Sequence, residues 1–564
     1  MFRQALLVAL VAGAWEWITV LPAMIIPVLR KKDSTFNSWL IAFFKSIDSA
    51  AFYSPVVTAF LTGLVLGDVK TGLLVGSTVQ LMFIGVFIVG ASIPPNPRLA
   101  SILATALCIL TGASTGEALS IVVPVSVLSQ LLTTLFMTLN VFFLHWADKM
   151  AEEGKITNID LLNTLNGVGW QAVEVIPAFL GVYFGVDLTK SLIAAIPEVV
   201  SKGLGLSAGL LPALGFGMLL VIIANRRVWP FFFVGFLLAT YMKMNAIAIA
   251  MLGVCVALIY DQLRNSRPAG YAETASGRAS YGTAEAVTAS GETVSSGKTA
   301  LGREDIAGVF WRSFNFAGNY NFERLMALGM ASMMVPVLRK FARTKEEIVS
   351  GLKRHLVFYN SHPYLGAMIT GVVAAMEVQK AQGAGIKDED INGVKTAMMG
   401  PFAGVGDSLF WGTLHPIYLS ITAALAAQGN PVAPFLAWFF IGGTALAGHW
   451  FFLNYGYRWG TDVLARIRES NVIERVADGA KIVGVLVAGA MIATLVSAKT
   501  TLVLHIGGGS IAIQPILDQI LPNLLALCLV FIVYGLLKRH LSPVVVMLLL
   551  MAIGILGAWL GFLG

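Results

Sequence analysis

MMGPFAGVGDSLFWGTLHP, residues 398–416, places four glycines, two prolines, one aspartate and one histidine in a chain whose neighbouring segments are apolar enough for lipid. No helical period runs cleanly through it. In a bilayer every backbone N–H and C=O must find a partner within the protein. Irregular backbone is therefore tolerated only against protein or along a water-filled cavity. An ionisable residue at that depth is costly and faces a cavity or a partner. Asp407 marks a segment that gives up helix continuity for an irregular polar wall. The glycines around it let backbone groups approach a ligand directly.

The rest of the chain sets the class. Of 564 residues, 57% are hydrophobic and 12% charged, with a mean hydropathy of +0.78. Soluble domains carry about 25% charged residues, so this composition predicts an all-α, polytopic membrane protein. The first apolar run, residues 5–28, is long enough to span a bilayer. No short apolar run precedes a small-residue cleavage site, so no removable signal peptide is expected. Cys108, Cys255 and Cys528 lie far apart in apolar runs, which fits neither a disulfide framework nor a metal pattern. The net charge of +7 comes from Lys and Arg at the ends of apolar runs, such as Arg226-Arg227 and Lys538-Arg539, and the positive-inside rule assigns most of these to the cytoplasm. No basic stripe with interleaved aromatics supports nucleic-acid binding, and no Gly cluster has a P-loop's Lys and Ser/Thr.

Apolar segments recur along the chain, many broken by Gly or Pro and several shorter than the ~20 residues of a simple span. That pattern predicts re-entrant or discontinuous helices. The one clear boundary is residues 264–304, rich in Ala, Gly, Ser and Thr and nearly free of Leu, Ile and Phe. Such a stretch cannot bury enough apolar surface to fold alone. It reads as a flexible linker spanning roughly 35 Å root-mean-square, between membrane halves 1–263 and 305–564.

Polar residues inside apolar runs are the candidate site. In the first half, Asp68 and Lys70 end one run, Gln80 sits in the middle of the next, and PPNP at 94–97 forces a break. Tight packing explains the glycines there equally well, interhelical bonding explains Gln80, and a membrane edge explains Asp68 and Glu16. In the second half, FNFAGNYNFERL, residues 314–325, mixes flat apolar rings with amides and ends in Glu323-Arg324, the mixture that sugar C–H faces and hydroxyls require. An interfacial amphipathic helix would read the same way. Asn360 and His362 open a further apolar run, with His362 either a proton relay or a helix-start residue held by hydrogen bonds. Glu377 stands three residues before Lys380, a helical ion-pair spacing.

These residues carry a family resemblance. The first half resembles the IIC membrane subunit of the mannose-type (mannose/fructose/sorbose) sugar phosphotransferase system through TGLVLGDVKTG (62–72), VQL (79–81), Gly90-Ala91 and PPNPRLAS (94–101). The second half resembles the IID subunit through FWRSF (310–314), NFERLMALGM (321–330), RHLVFYNSHP (354–363), INGVKTAMMGPFAGVGDSLFWGT (391–413) and ILDQILP (516–522). The linker would thus fuse two subunits that are commonly separate chains.

The resemblance implies a sugar permease of the cytoplasmic membrane, moving a hexose or amino sugar by an elevator-like shift of a core against a scaffold. A cytoplasmic IIB protein, phosphorylated on histidine by IIA, would phosphorylate the sugar. The chain itself would not be an enzyme and would need no cofactor or metal. A homotrimer of fused IIC–IID units is implied. Carried over by position, the substrate-binding candidates are Asp68, Gln80, Asn96, Asn321, Glu323, Asn360, His362 and Asp407. The chain also departs from the family. DSAAFYSP, residues 48–55, replaces an acidic block containing Gln and His, Tyr320 stands for a usual Trp, and Asn96 for a usual Asp. An ion-coupled secondary sugar transporter using Asp68 or Asp407 is the alternative, and a non-transporting scaffold or receptor is a third class.

Overall fold

The computed structural model describes residues 1–30, 34–85, 95–186, 197–224, 226–244, 246–265, 300–460, 472–506 and 509–563. The Gly90-Ala91 pair and most of the 264–304 stretch lie outside them, while the flanking helices Ala246–Asn265 and Arg303–Ser313 reach into that stretch at either end. The described chain is helical from end to end, as the composition requires. The one addition is a small antiparallel hairpin, Val503–Ile506 with Gly509–Ala512, in which Val503 faces Ala512.

Three helices are long and apolar enough to cross a membrane among the described residues, or six if each bent pair counts as one span. The bent pairs fit the general expectation of discontinuous helices, although one of them divides the 5–28 run that was long enough for a single span. Thr35–Tyr53 turns by 101° into Pro55–Leu66 at Ser54. Ser54 is extended, with φ −121° and ψ 101°, and Pro55 then starts the new helix at the position where its missing N–H costs nothing. A second bend, of 66°, separates Phe2–Ala14 from Glu16–Ile26 next to Gly13, whose φ of 136° suits only glycine. The third, of 80°, joins Ile513–Ile520 to Leu524–Lys538.

The halves interlock. One large apolar core combines Leu210–Ala257 side chains with Ile482, Leu486 and Met491, and a second combines Met137, Leu144 and Ile159 with Met330, Leu338 and Phe402. Trp229–Tyr241 and Val472–Leu495 approach so closely that Gly235 lies on the Leu486 carbonyl and Gly489 on that of Phe232. Small residues at such crossings allow the backbone contact that dispersion in lipid needs.

Polar clamps cross the same boundary. Arg312 donates from Nε to Asp160 Oδ1 (2.9 Å) and from Nη2 to Oδ2 (2.6 Å), with Arg312 1% and Asp160 0% exposed. The Ser332 hydroxyl donates to the same carboxylate at 2.6 Å. Asn163 and Asn315 each donate a side-chain amide to the other's backbone carbonyl, both at 3.0 Å. Such buried polar contacts across the boundary fix the register of the segments that carry them.

Candidate functional site

Around Asp407 the sequence suggested a loss of helix continuity, but the structure keeps one helix, Asp388–Ala427, and changes only its winding. Asp388–Gly406 runs into a π-helical stretch, Asp407–Leu414, before the helix resumes at His415–Ala427. Pro401 removes one helical donor inside the first helix and Pro416 starts the last. A π-segment widens the backbone and commonly sits at functional positions. Here it turns Asp407, Trp411 and His415 toward an internal cavity of about 370 Å³.

Both halves line this cavity. Asp48, Tyr53, Gln80, Asn96, Arg98 and Glu174 come from the first, and Asn315, Asn360, Tyr364, Asp407, Trp411 and His449 from the second. The Tyr53 and Trp411 ring centroids are 4.7 Å apart, and His415 lies 4.5 Å from Trp411 and 5.3 Å from Tyr53. These rings pack on one another in the same cavity wall that holds Asp407, whose carboxylate has no hydrogen bond or ion pair among the described residues.

Of the eight residues singled out from sequence, Gln80, Asn96, Asn360 and Asp407 line the cavity, while Asp68, Asn321, Glu323 and His362 do not. Each of the latter four has local work. Asp68 caps the helix Val69–Met82, accepting from the Thr71 backbone N–H at 3.0 Å and hydroxyl at 2.6 Å. Asn321 closes a turn, its Oδ1 accepting from the backbone N–H groups of Glu323 (3.0 Å) and Arg324 (2.9 Å). The 314–325 stretch is accordingly a chain of turns rather than an amphipathic helix. Glu323 pairs at the surface with His145 (2.9 Å) and Arg324 (3.2 Å). His362 is the helix-start residue, accepting from the Tyr364 N–H at 3.2 Å, and it stacks on Phe410 behind the cavity wall with centroids 5.1 Å apart.

Two of the lining residues are already engaged. Gln80 donates to the Leu419 carbonyl at 2.7 Å and the Thr422 hydroxyl at 2.9 Å, and accepts from Ser54 at 2.6 Å, so it ties the halves together at the bend. Asn96 accepts from the Arg98 N–H at 2.9 Å and donates to Glu174 at 2.8 Å.

Asn96 thereby leads into a wall that sequence reading missed. Arg98, 1% exposed, lies 3.0 Å from Glu174 and 3.2 Å from Asp48. Gln171 donates to Glu16 at 2.6 Å, and Glu16 pairs with Lys45. Glu16 is thus 1% exposed and held by partners inside the protein. The signal was present: Lys45, Asp48 and Glu174 stand in otherwise apolar runs, where lone charges require partners. A similar correction applies to Glu377, which binds Arg354 (2.5 and 2.6 Å) and His355 (3.0 Å), while Lys380 pairs with Asp388 at 2.8 Å.

Comparison with known proteins places these halves. Residues 3–259 match the family described as the PTS system sorbose-specific IIC component, and residues 300–563 the PTS system mannose/fructose/sorbose family IID component. The second half is 38% identical over 265 residues to the sorbose-specific EIID component of Klebsiella pneumoniae, covering 46% of this chain and 96% of that protein. It is also 36% identical over 271 residues to the mannose-specific EIID component of Escherichia coli K12, covering 47% and 95%. The first half is 37% identical over 229 residues to the sorbose-specific EIIC component of Klebsiella pneumoniae, covering 40% and 86%.

Proposed function

Because this chain belongs to the mannose/fructose/sorbose family of the sugar phosphotransferase system, with a IIC and a IID component in one polypeptide, we propose that the cavity between its halves is where the sugar is held. The chain is a multi-pass protein of the cytoplasmic membrane and the transporting part of its system. Components of these two kinds are not catalytic. Phosphoryl transfer belongs to a IIB partner, itself supplied with phosphate by IIA.

The observation that carries the site is one cavity of about 370 Å³ lined by residues from both halves. Small-molecule pockets span about 300–1,000 Å³. Asp407 and Asn360 accept from and donate to sugar hydroxyls, and Tyr53 and Trp411 pack on the C–H faces of the ring. The bend at Ser54 and the π-segment Asp407–Leu414 border the cavity, which supports their use as pivots when the sugar-holding core shifts inward against the scaffold. Three fused chains form the working assembly, and IIB meets it from the cytoplasmic side.

Uptake into vesicles holding phosphorylated IIB tests this. The expected product is sugar phosphate, with no accumulation when IIB is absent. Accumulation of unmodified sugar on an ion gradient alone overturns the reading. Asp407→Asn is expected to lower uptake per folded molecule by tenfold or more, about the worth of one hydrogen bond to a charged group. Unchanged uptake would remove Asp407 from the site.

A further inference from the structure

Gln80 lines the cavity, yet its amide has no hydrogen-bonding capacity left for a ligand. Oε1 accepts from the Ser54 hydroxyl at 2.6 Å and the Val56 N–H at 3.1 Å. Nε2 donates to the Leu419 carbonyl at 2.7 Å and the Thr422 hydroxyl oxygen at 2.9 Å. The Val56 N–H can only donate and the Leu419 carbonyl can only accept, so the amide cannot be turned over. Gln80 is 1% exposed, and Ser54 and Thr422 are each 0% exposed. A fully satisfied polar group in so dry a place is held firmly, because losing any one bond orphans a buried partner.

The elements that this amide joins give it a role. Pro55–Leu66 and Val69–Met82 form an antiparallel helical hairpin, turned at Gly67 and Asp68. At 12 and 14 residues, both arms fall short of the ~20 of a simple span. Gly72 lies against the Ala59 carbonyl and Gly76 against that of Pro55, so the arms meet backbone to backbone. Gln80 and Ser54 stand opposite each other at the open end of this hairpin, where Thr35–Tyr53 bends into it by 101°. From there the amide reaches the helix His415–Ala427 of the second half, which continues directly from the π-segment that begins at Asp407. Val56 and Leu73 pack with Ala426 farther along the same helix. One side chain thus bonds the bend at Ser54 to the helix leaving the π-segment.

We propose that Gln80 is a positioning residue for the transport step: it locks the hairpin 55–82 to the helix His415–Ala427, so that the bend at Ser54 and the wall carrying Asp407 move together. The inference rests on the cavity being the sugar site. Without the lock each wall shifts alone, the sugar is still gripped, and the concerted movement slows. A ligand role would tie Gln80 to sugar affinity, and a packing role only to the yield of folded protein. A positioning role ties it to the maximal rate of uptake per folded molecule.

Uptake of radiolabelled mannose, fructose, sorbose and glucosamine into vesicles holding phosphorylated IIB tests this. The probe that wild type takes up fastest is then used for Gln80→Leu, Thr422→Val and the double variant, with its Kd measured by titration calorimetry on each purified full chain. Gln80→Leu is expected to lower the maximal rate about tenfold or more and to leave the Kd within about threefold of wild type. Thr422→Val removes one of the two partners in the second half, spares the bonds at Ser54 and Val56, and is expected to lower the rate about threefold. The double variant is expected to be no slower than Gln80→Leu alone, because both changes act through one contact. An unchanged rate in Gln80→Leu, a Kd weakened as much as the rate falls, or losses that multiply in the double variant each overturn the proposal and leave the sugar site standing. If Gln80→Leu does not fold, Thr422→Val decides alone, and a normal rate there overturns the proposal. Wild-type vesicles that form no sugar phosphate from any of these probes overturn the sugar reading and this inference with it.

Discussion

Replacing Asp160 by Ala removes the carboxylate that holds Arg312 across the two halves. Arg312 is 1% exposed and donates to that group from Nε, at 2.9 and 3.0 Å, and from Nη2, at 2.6 Å, and the Ser332 hydroxyl donates to it at 2.6 Å. Arg312 also donates to the Gly308 carbonyl at 2.8 Å, a contact within its own helix that does nothing to join the halves. Breaking a buried pair by deleting one partner costs about 3–5 kcal/mol. That corresponds to association between the halves weakened from roughly a hundredfold to several thousandfold. The assay is a protease site placed within residues 264–304, cleavage in detergent, and measurement of how much second half stays with an affinity-tagged first half on dilution. The intact protein is expected to stay paired and Asp160→Ala to separate. Asp160→Ala with Arg312→Met is expected to recover part of the loss, because the charge left behind is also gone. Equal retention in Asp160→Ala and wild type, to within threefold, would refute the view that this clamp joins the halves.

Gln80→Leu leaves the Thr422 and Ser54 hydroxyls short of a buried partner, and the expected loss is about 1–3 kcal/mol, read as earlier thermal unfolding in detergent. Gly489→Leu places a side chain where the Phe232 carbonyl lies, so folded protein recovered by size exclusion should fall sharply, and normal recovery would show that the crossing can open. Removing residues 270–295 should leave uptake largely intact, and lost uptake at normal expression would show that the stretch does more than tether.

The sequence made the helical class legible because lipid leaves little choice: apolar runs of this length have no other way to satisfy their backbones. The breaks were less readable: the Gly/Pro pattern around Asp407 gives a π-helical stretch inside a continuous helix, and the bend at Ser54 falls within a run whose apolar composition shows no break. The site was only half visible. Asp407 and Asn360 line the cavity because the segment that carries each of them is itself the wall. Asn321 and Asp68 look alike in composition but spend their side chains on a turn and a helix cap, a choice fixed by backbone angles. The charged wall was hidden because Glu16, Lys45, Arg98 and Glu174 meet only after four separate helices have packed. Glu377 shows the same effect at shorter range: Lys380 has the right spacing, yet the preceding helix brings Arg354 and His355 nearer.

Each large apolar core takes side chains from both halves, and this bears on how the protein is made. Either half synthesised alone would present to lipid the glycine-faced crossings and buried carboxylates meant for the other, an invitation to quality-control proteolysis. Translating both from one message matches their numbers one to one and keeps each nascent half beside its complement from the moment of insertion. The fused chain is in this sense its own assembly factor.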